Sequence, residues 1–186
     1  MSTTSPGQVT NSLLQNYGFD SVYPSVYLTG AVLTAAATSF PTLSFPAYNS
    51  LRVIVFTPSV GGSDMPALRF NGDSGANYNS RSVTVAVGAT LNTNTETASD
   101  TLIRLGVASA NGRIAVVDIG NTLAANKPVV AYVAVLGANP ATVSVIHAPV
   151  AGGWFNTAAQ ITSLSCLTQA GQTMGIGSSI QIFGGL

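Results

Sequence analysis

Charge is what this sequence has least of. Of its 186 residues, 6% are Asp, Glu, Lys or Arg, six acidic against six basic, for a formal net charge of +0. Soluble domains average about 25% charged residues. A compact monomer of this length exposes roughly 8,000 Å², so its charges stand about one per 700 Å², where an ordinary domain has about one per 180 Å². Either Ser, Thr, Asn and Gly wet this surface, or neighbouring molecules cover much of it. With no basic excess there is no electrostatic footprint for nucleic acid. The six cations, Arg52, Arg69, Arg81, Arg104, Arg113 and Lys127, are scattered singly. No charge run offers a polyanion-binding arm. A hydrophobic content of 46% argues against disorder.

Catalytic residue types are equally scarce. There is one cysteine, Cys166, so no internal disulfide can form. It alternates with Ile161 and Leu164 in an apolar stretch and reads as a small buried hydrophobe. The one histidine, His147, follows an expected strand and reads as a structural hydrogen-bonding residue before a general base. One His and one Cys far apart make a poor transition-metal set. No pair of carboxylates flanks a recognisable cleft, although Asp73 and Asp118 would be the first to mutate in a glycan-cleaving enzyme. The longest apolar run, Pro128 to Ala138, is too short to span a bilayer. Met1 to Gly7 has no basic or apolar leader region, and no Asn-x-Ser/Thr sequon occurs. The expectation is a non-enzymatic chain with no cofactor, metal, nucleic-acid or membrane partner.

What is present is strand periodicity. Ser50 to Phe56, Ala67 to Phe70, Ser82 to Val87, Leu102 to Val107, Arg113 to Ile119, Val129 to Leu136, Ala141 to Ile146, Ile161 to Leu167 and Ser179 to Phe183 each read as a strand, and Val26 to Leu33 as one more. About nine short strands at this spacing predict an all-β antiparallel sandwich, jelly-roll-like, and not βαβ units. Asn111-Gly112, between two apolar runs, predicts a hairpin turn. Leu91 to Asp100, rich in Thr and Asn, reads as an exposed loop. Val9 to Tyr17 is the best short helix. The organisation expected is an N-terminal arm over 1–24 and one sandwich domain over 25–186.

Two stretches stand out. Phe70-Asn71-Gly72-Asp73-Ser74-Gly75-Ala76-Asn77-Tyr78 reads first as a tight turn, with Gly72 and Gly75 supplying positive φ and Asn or Asp bonding their own backbone. Asn71, Asp73 and Asn77 also offer oxygens at alternate positions, as a calcium loop would, but only one is a carboxylate. Asp73-Ser74-Gly75 echoes a serine-protease nucleophile segment, yet no histidine precedes it. Trp154 and Phe155, after Gly152-Gly153, are read either as a core cap or as surface-contact aromatics.

The segment Leu68 to Tyr78 resembles the F-N-G-D-x-G-x-N-Y stretch of small jelly-roll virion proteins of tailed bacteriophages. The stretch from Gly153-Trp154 through Ile161 to Leu164, Gly171 and Gly177 to Gly184 is similar to their ending, with Phe183 where they carry Tyr. The resemblance runs over residues 50–186. It implies a β-sandwich assembled into a particle, commonly as a homotrimer, in contact with other virion proteins such as the major capsid protein. The function expected is capsid cement or decoration. The alternative is a tail-tip, baseplate or neck domain that binds host saccharide.

Overall fold

The computed structural model describes residues 25–62, 64–84, 92–136 and 146–185. The expected arm over 1–24, its helix, and the strand residues expected at 85–87 and 141–145 lie outside them. Among the described residues the chain is all-β, with two antiparallel sheets, as the periodicity predicts.

Twelve strands form in chain order: β1 (Ser25–Val32), β2 (Leu43–Ser44), β3 (Ser50–Ser59), β4 (Pro66–Phe70), β5 (Tyr78–Thr84), β6 (Asn92–Asp100), β7 (Ile103–Arg104), β8 (Asn111–Gly120), β9 (Lys127–Val135), β10 (Ile146–Trp154), β11 (Ser163–Thr168) and β12 (Ser179–Gly185). The large sheet has the order β1-β12-β3-β8-β9-β10-β5-β6, and the small one β2-β11-β4-β7. The chain crosses between sheets at every connection except β5–β6, β8–β9 and β9–β10.

Period-two burial defines the core. Val53 and Val55 on β3, Ala115 and Val117 on β8, and Val129, Ala131, Val133 and Val135 on β9 all point inward and are buried. Leu68 and Phe70 on β4 and Leu164 and Cys166 on β11 meet them from the small sheet within one core cluster. Fully burying such a Val or Leu side chain stabilises the fold by about 1.5–3 kcal/mol.

Two local expectations are corrected. Asn111-Gly112 is no hairpin turn. It opens β8, where Asn111 pairs with Ser59 of β3. Neither residue has positive φ. Gly112 is needed because a Cβ there would lie 2.8 Å from the Pro58 carbonyl oxygen, so close strand approach explains the glycine. The apolar run before it contributes only β7, paired with β4 in the other sheet. The stretch expected as a loop over Leu91 to Asp100 holds β6, antiparallel to β5 at the sheet edge. An edge strand needs one ladder and no apolar face, and Thr at 93, 95 and 97 suits it.

The loops are bolted by buried polar groups. Asn121, 0% exposed, donates to the carbonyls of Tyr48 (2.8 Å) and Ile161 (3.0 Å) and accepts from the Ile161 N–H at 2.6 Å. Asp64, 1% exposed, accepts from the N–H groups of Met65, Ala170 and Gln172. Arg113 donates to the carbonyls of Val107, Asp64 and Ser109. Lys127 donates to those of Ala125 and Asn156. Burial pushes the Arg113 guanidinium down to about 10, opposed by the charge of Asp64, and lowers the Lys127 ammonium.

Candidate functional site

The turn after β4 is built from its sequence outward. Asn71 and Gly72 take φ of 51° and 68°, and the Asp73 N–H donates to the Phe70 carbonyl at 2.9 Å. That is the geometry of a type I′ turn, which Asn-Gly favours. Gly75 does not have positive φ; a Cβ there would stand 2.9 Å from Asn77 Nδ2 and 3.1 Å from Asp73 Oδ1 and would push on these two side-chain ends. This corrects the expectation of positive φ at both glycines.

Asp73 is the hub. Its Oδ1 accepts from the Gly75 N–H at 2.8 Å. Its Oδ2 accepts from Asn77 Nδ2 at 2.9 Å and from the indole Nε1 of Trp154 at 2.7 Å. Burial raises its pKa, but the hydrogen bonds from Trp154, Asn77 and Gly75, with the charge of Arg69, outweigh that and hold the carboxyl below the usual 3.8. Tyr78 Oη lies 3.0 Å from the Asp73 carbonyl and accepts from the Phe70 N–H at 3.0 Å. Burial pushes the Tyr78 phenol up to about 12.

The rings close over this hub. Phe70 meets Trp154 edge-on at 5.9 Å, and Tyr78 stacks on Trp154 at 6.3 Å. The two stretches that stand out in the sequence are therefore joined by a carboxylate–indole hydrogen bond across 81 residues of sequence. Asn71 faces away. Its Oδ1 accepts from the N–H groups of Thr162 and Ser163 at 2.9 and 3.0 Å, and its Nδ2 donates to the Gln160 carbonyl at 2.8 Å.

These bonds favour the turn reading. The Asp73 carboxylate oxygens and Asn71 Oδ1 already accept from N–H donors, and Asn71 points to a different segment from Asp73. The turn is a structural lock between β4, β5, β10 and the strand entering β11. Of the two aromatics, Trp154 is in the core at 1% exposure, which removes it as a surface contact, and Phe155 is 50% exposed. The indole turns inward because Asp73 supplies the one acceptor its N–H needs. Cys166 is buried, and burial pushes its thiol up to about 12, so it stays protonated at neutral pH. His147 lies within β10, opposite Ala134 of β9, rather than after a strand. Asp118 on β8 is paired with Arg52 (2.7 Å), whereas Asp73 stands in the turn after β4. Among the described residues no three of His, Cys, Asp or Glu gather as a metal set.

The charges that the composition counts are thus mostly used inside the chain. Asp64, Arg113 and Lys127 are buried. Arg52 pairs with Asp118, and Arg104 with Asp100 at 2.7 Å.

The feature that sequence reading missed is the outer face of the large sheet. Register lines its outward residues into rows. Phe56 stands opposite Ile114, and Ile54 opposite Val116, which stands opposite Tyr132. Phe183, Arg52, Asp118, Val130 and Ala151 form the next row. Val32, Phe56, Ile114, Val130 and Tyr132 are 40–65% exposed. A notch of about 270 Å³ opens on this face between Phe183, Pro128, Val130 and the Arg52–Asp118 pair. The outer face of the small sheet is different: it presents Ser44, Ser163, Ser165 and Arg69.

The signal was in the sequence. β9 reads Pro-Val-Val-Ala-Tyr-Val-Ala-Val after its lysine, apolar at both parities. A strand with one wet face alternates, whereas a strand covered on both faces runs continuously apolar. Compared with protein-family models, curated proteins and solved structures, the chain matches none of them.

Proposed function

We propose that this chain is a non-enzymatic structural protein of a tailed-phage virion, a capsid cement or decoration protein that stabilises the particle through contacts with itself and with neighbours such as the major capsid protein. The observation that carries the assembly part is the apolar outer face of the large sheet, exposed among the described residues and coded by strands such as β9 that are apolar at both parities. Such a face is suited to burial against protein, since interface cores are depleted in charge. The internal use of charge fits the same role. Among the described residues of β3, β8 and β9, desolvating this face strands no lone ion, since Arg52 and Asp118 pair, and a lone buried ion would cost several kcal/mol. The virion setting comes from the resemblance of the turn and of the C-terminal stretch, and the Asp73–Trp154 bond makes the two one structural unit.

The test is particle composition and endurance. Particles assembled with the chain should contain it in stoichiometric copies by mass spectrometry, and particles lacking it should lose their contents at lower temperature. Absence from particles, or unchanged endurance without it, overturns the proposal. The saccharide-binding alternative keeps one exposed aromatic, Phe155, beside the locked turn. It expects glycan-array binding that Phe155→Ala abolishes.

A further inference from the structure

We propose that the outer face of the eight-stranded sheet pairs with the same face of a second copy of this chain, about a two-fold axis. The inference rests on the assembly reading above and names the occupant of that face.

Four observations carry it. First, Ile54 and Phe56 of β3, Ile114 and Val116 of β8, and Val130 and Tyr132 of β9 face outward and are apolar where a solvent-facing strand would be polar, with Ser50 and the Arg52–Asp118 pair beside them. Second, among the described residues of β12, β3, β8, β9 and β10, the only outward Asp, Glu, Lys or Arg side chains are Arg52 and Asp118, which neutralise each other in a two-bonded pair at 2.7 and 2.9 Å. Over these strands the occupant needs no countercharge, and Arg81 of β5, opposite Ala151, borders the footprint. The small sheet's Ser- and Arg-bearing face is a poor match for it, while the large sheet's face matches itself.

Third, the area suffices. The six contiguous strands from β1 to β10, at about 4.8 Å spacing and about 3.3 Å per residue over about seven residues, give a footprint of roughly 700 Å². A standard interface buries about 800 Å² per partner. Fourth, the patch holds both a hollow and a projection, the notch beside Phe183 and the Tyr132 ring at 54% exposure. A two-fold contact requires this self-complementarity within one patch.

The experiment is sedimentation velocity on the full chain at tens of micromolar. Wild type is expected as a dimer. Phe56→Glu and, separately, Ile114→Glu should weaken pairing at least about 100-fold, because each buries an unpaired carboxylate in the contact. Both positions are half exposed in the single chain, so circular dichroism and Tm should stay unchanged. Ser44→Glu, on the other sheet, should leave the dimer intact. A wild-type monomer, a trimer, or a dimer that survives both glutamates overturns the pairing. A monomer that still occupies particles would overturn the pairing and leave the proposed function standing. A dimer absent from particles would do the reverse.

Discussion

Replacing Asp73 by Ala tests the lock most directly. Three donors converge on its carboxylate: the Trp154 indole, the Asn77 amide and the Gly75 N–H. Losing the carboxylate affects them unequally. Gly75 and Asn77 are exposed and regain water, adding little. Trp154 is 1% exposed, so its N–H is stranded. A hydrogen bond to a charged group is worth about 1.5–3 kcal/mol, and a stranded buried donor costs about 1–3 kcal/mol. Asp73→Ala should therefore cost roughly 2–4 kcal/mol, which lowers Tm by roughly 5–15 °C in a domain of this size. The double-mutant cycle with Trp154→Phe isolates the pair, with an expected coupling of about 1.5–3 kcal/mol. Trp154 is the sole tryptophan, so unfolding should be monitored by far-ultraviolet circular dichroism in urea. The sign with pH is fixed. The folded carboxyl lies below its ordinary 3.8, so its contribution is full above that value and disappears as pH falls through the folded pKa. The gap between wild type and Asp73→Ala should narrow in acid, because the protonated carboxyl accepts from the indole more weakly than the carboxylate does. A coupling below about 0.5 kcal/mol, or a gap that widens in acid, would refute the assignment.

Buried groups and tight backbones set three further outcomes. Asn121→Ala strands the carbonyls of Tyr48 and Ile161 and the Ile161 N–H, and should cost about 3 kcal/mol or more in urea unfolding. Cys166 should be inert to a thiol-reactive disulfide reagent in the native protein at pH 8 and react at once in urea, because its thiol is 1% exposed and pushed up to about 12. Gly72→Ala and Gly152→Ala should separate two kinds of glycine. The first has open space and φ of 68°, costing about 1–2 kcal/mol. The second would place a Cβ 2.3 Å from the Asn79 carbonyl oxygen, forcing β10 from β5 and costing about 3 kcal/mol or more.

The sandwich was legible because alternation is a local signal. Val53, Val55, Val117 and Val133 announce an inner face, and all four are buried. The turn was legible for the same reason, since Asn-Gly with Asp next to it carries its own chemistry. What failed was anything that depended on a distant partner. Asn111-Gly112 has the composition of a hairpin, but the Pro58 carbonyl, more than fifty residues away, is what requires the glycine. Strand β6 lacks an apolar face because only β5 supports it, which sequence periodicity cannot register. Asp73 finding Trp154 was invisible in spacing, as was the ion pair between Arg52 and Asp118. The apolar run over Pro128 to Ala138 was visible, and its excess of apolar outward positions is the mark of the uncovered face.

The inward use of charge has a consequence for the medium in which the chain works. Contacts steered by charge weaken when ions shorten the screening length from about 10 Å at 0.1 M to about 3 Å at 1 M. Here Asp64, Arg113 and Lys127 are sealed from solvent, and Arg52 and Asp118 satisfy each other. Little field remains for ions to screen. Association through apolar faces should hold its strength in dilute and concentrated brine alike, and tighten in sulfate, which strengthens apolar burial.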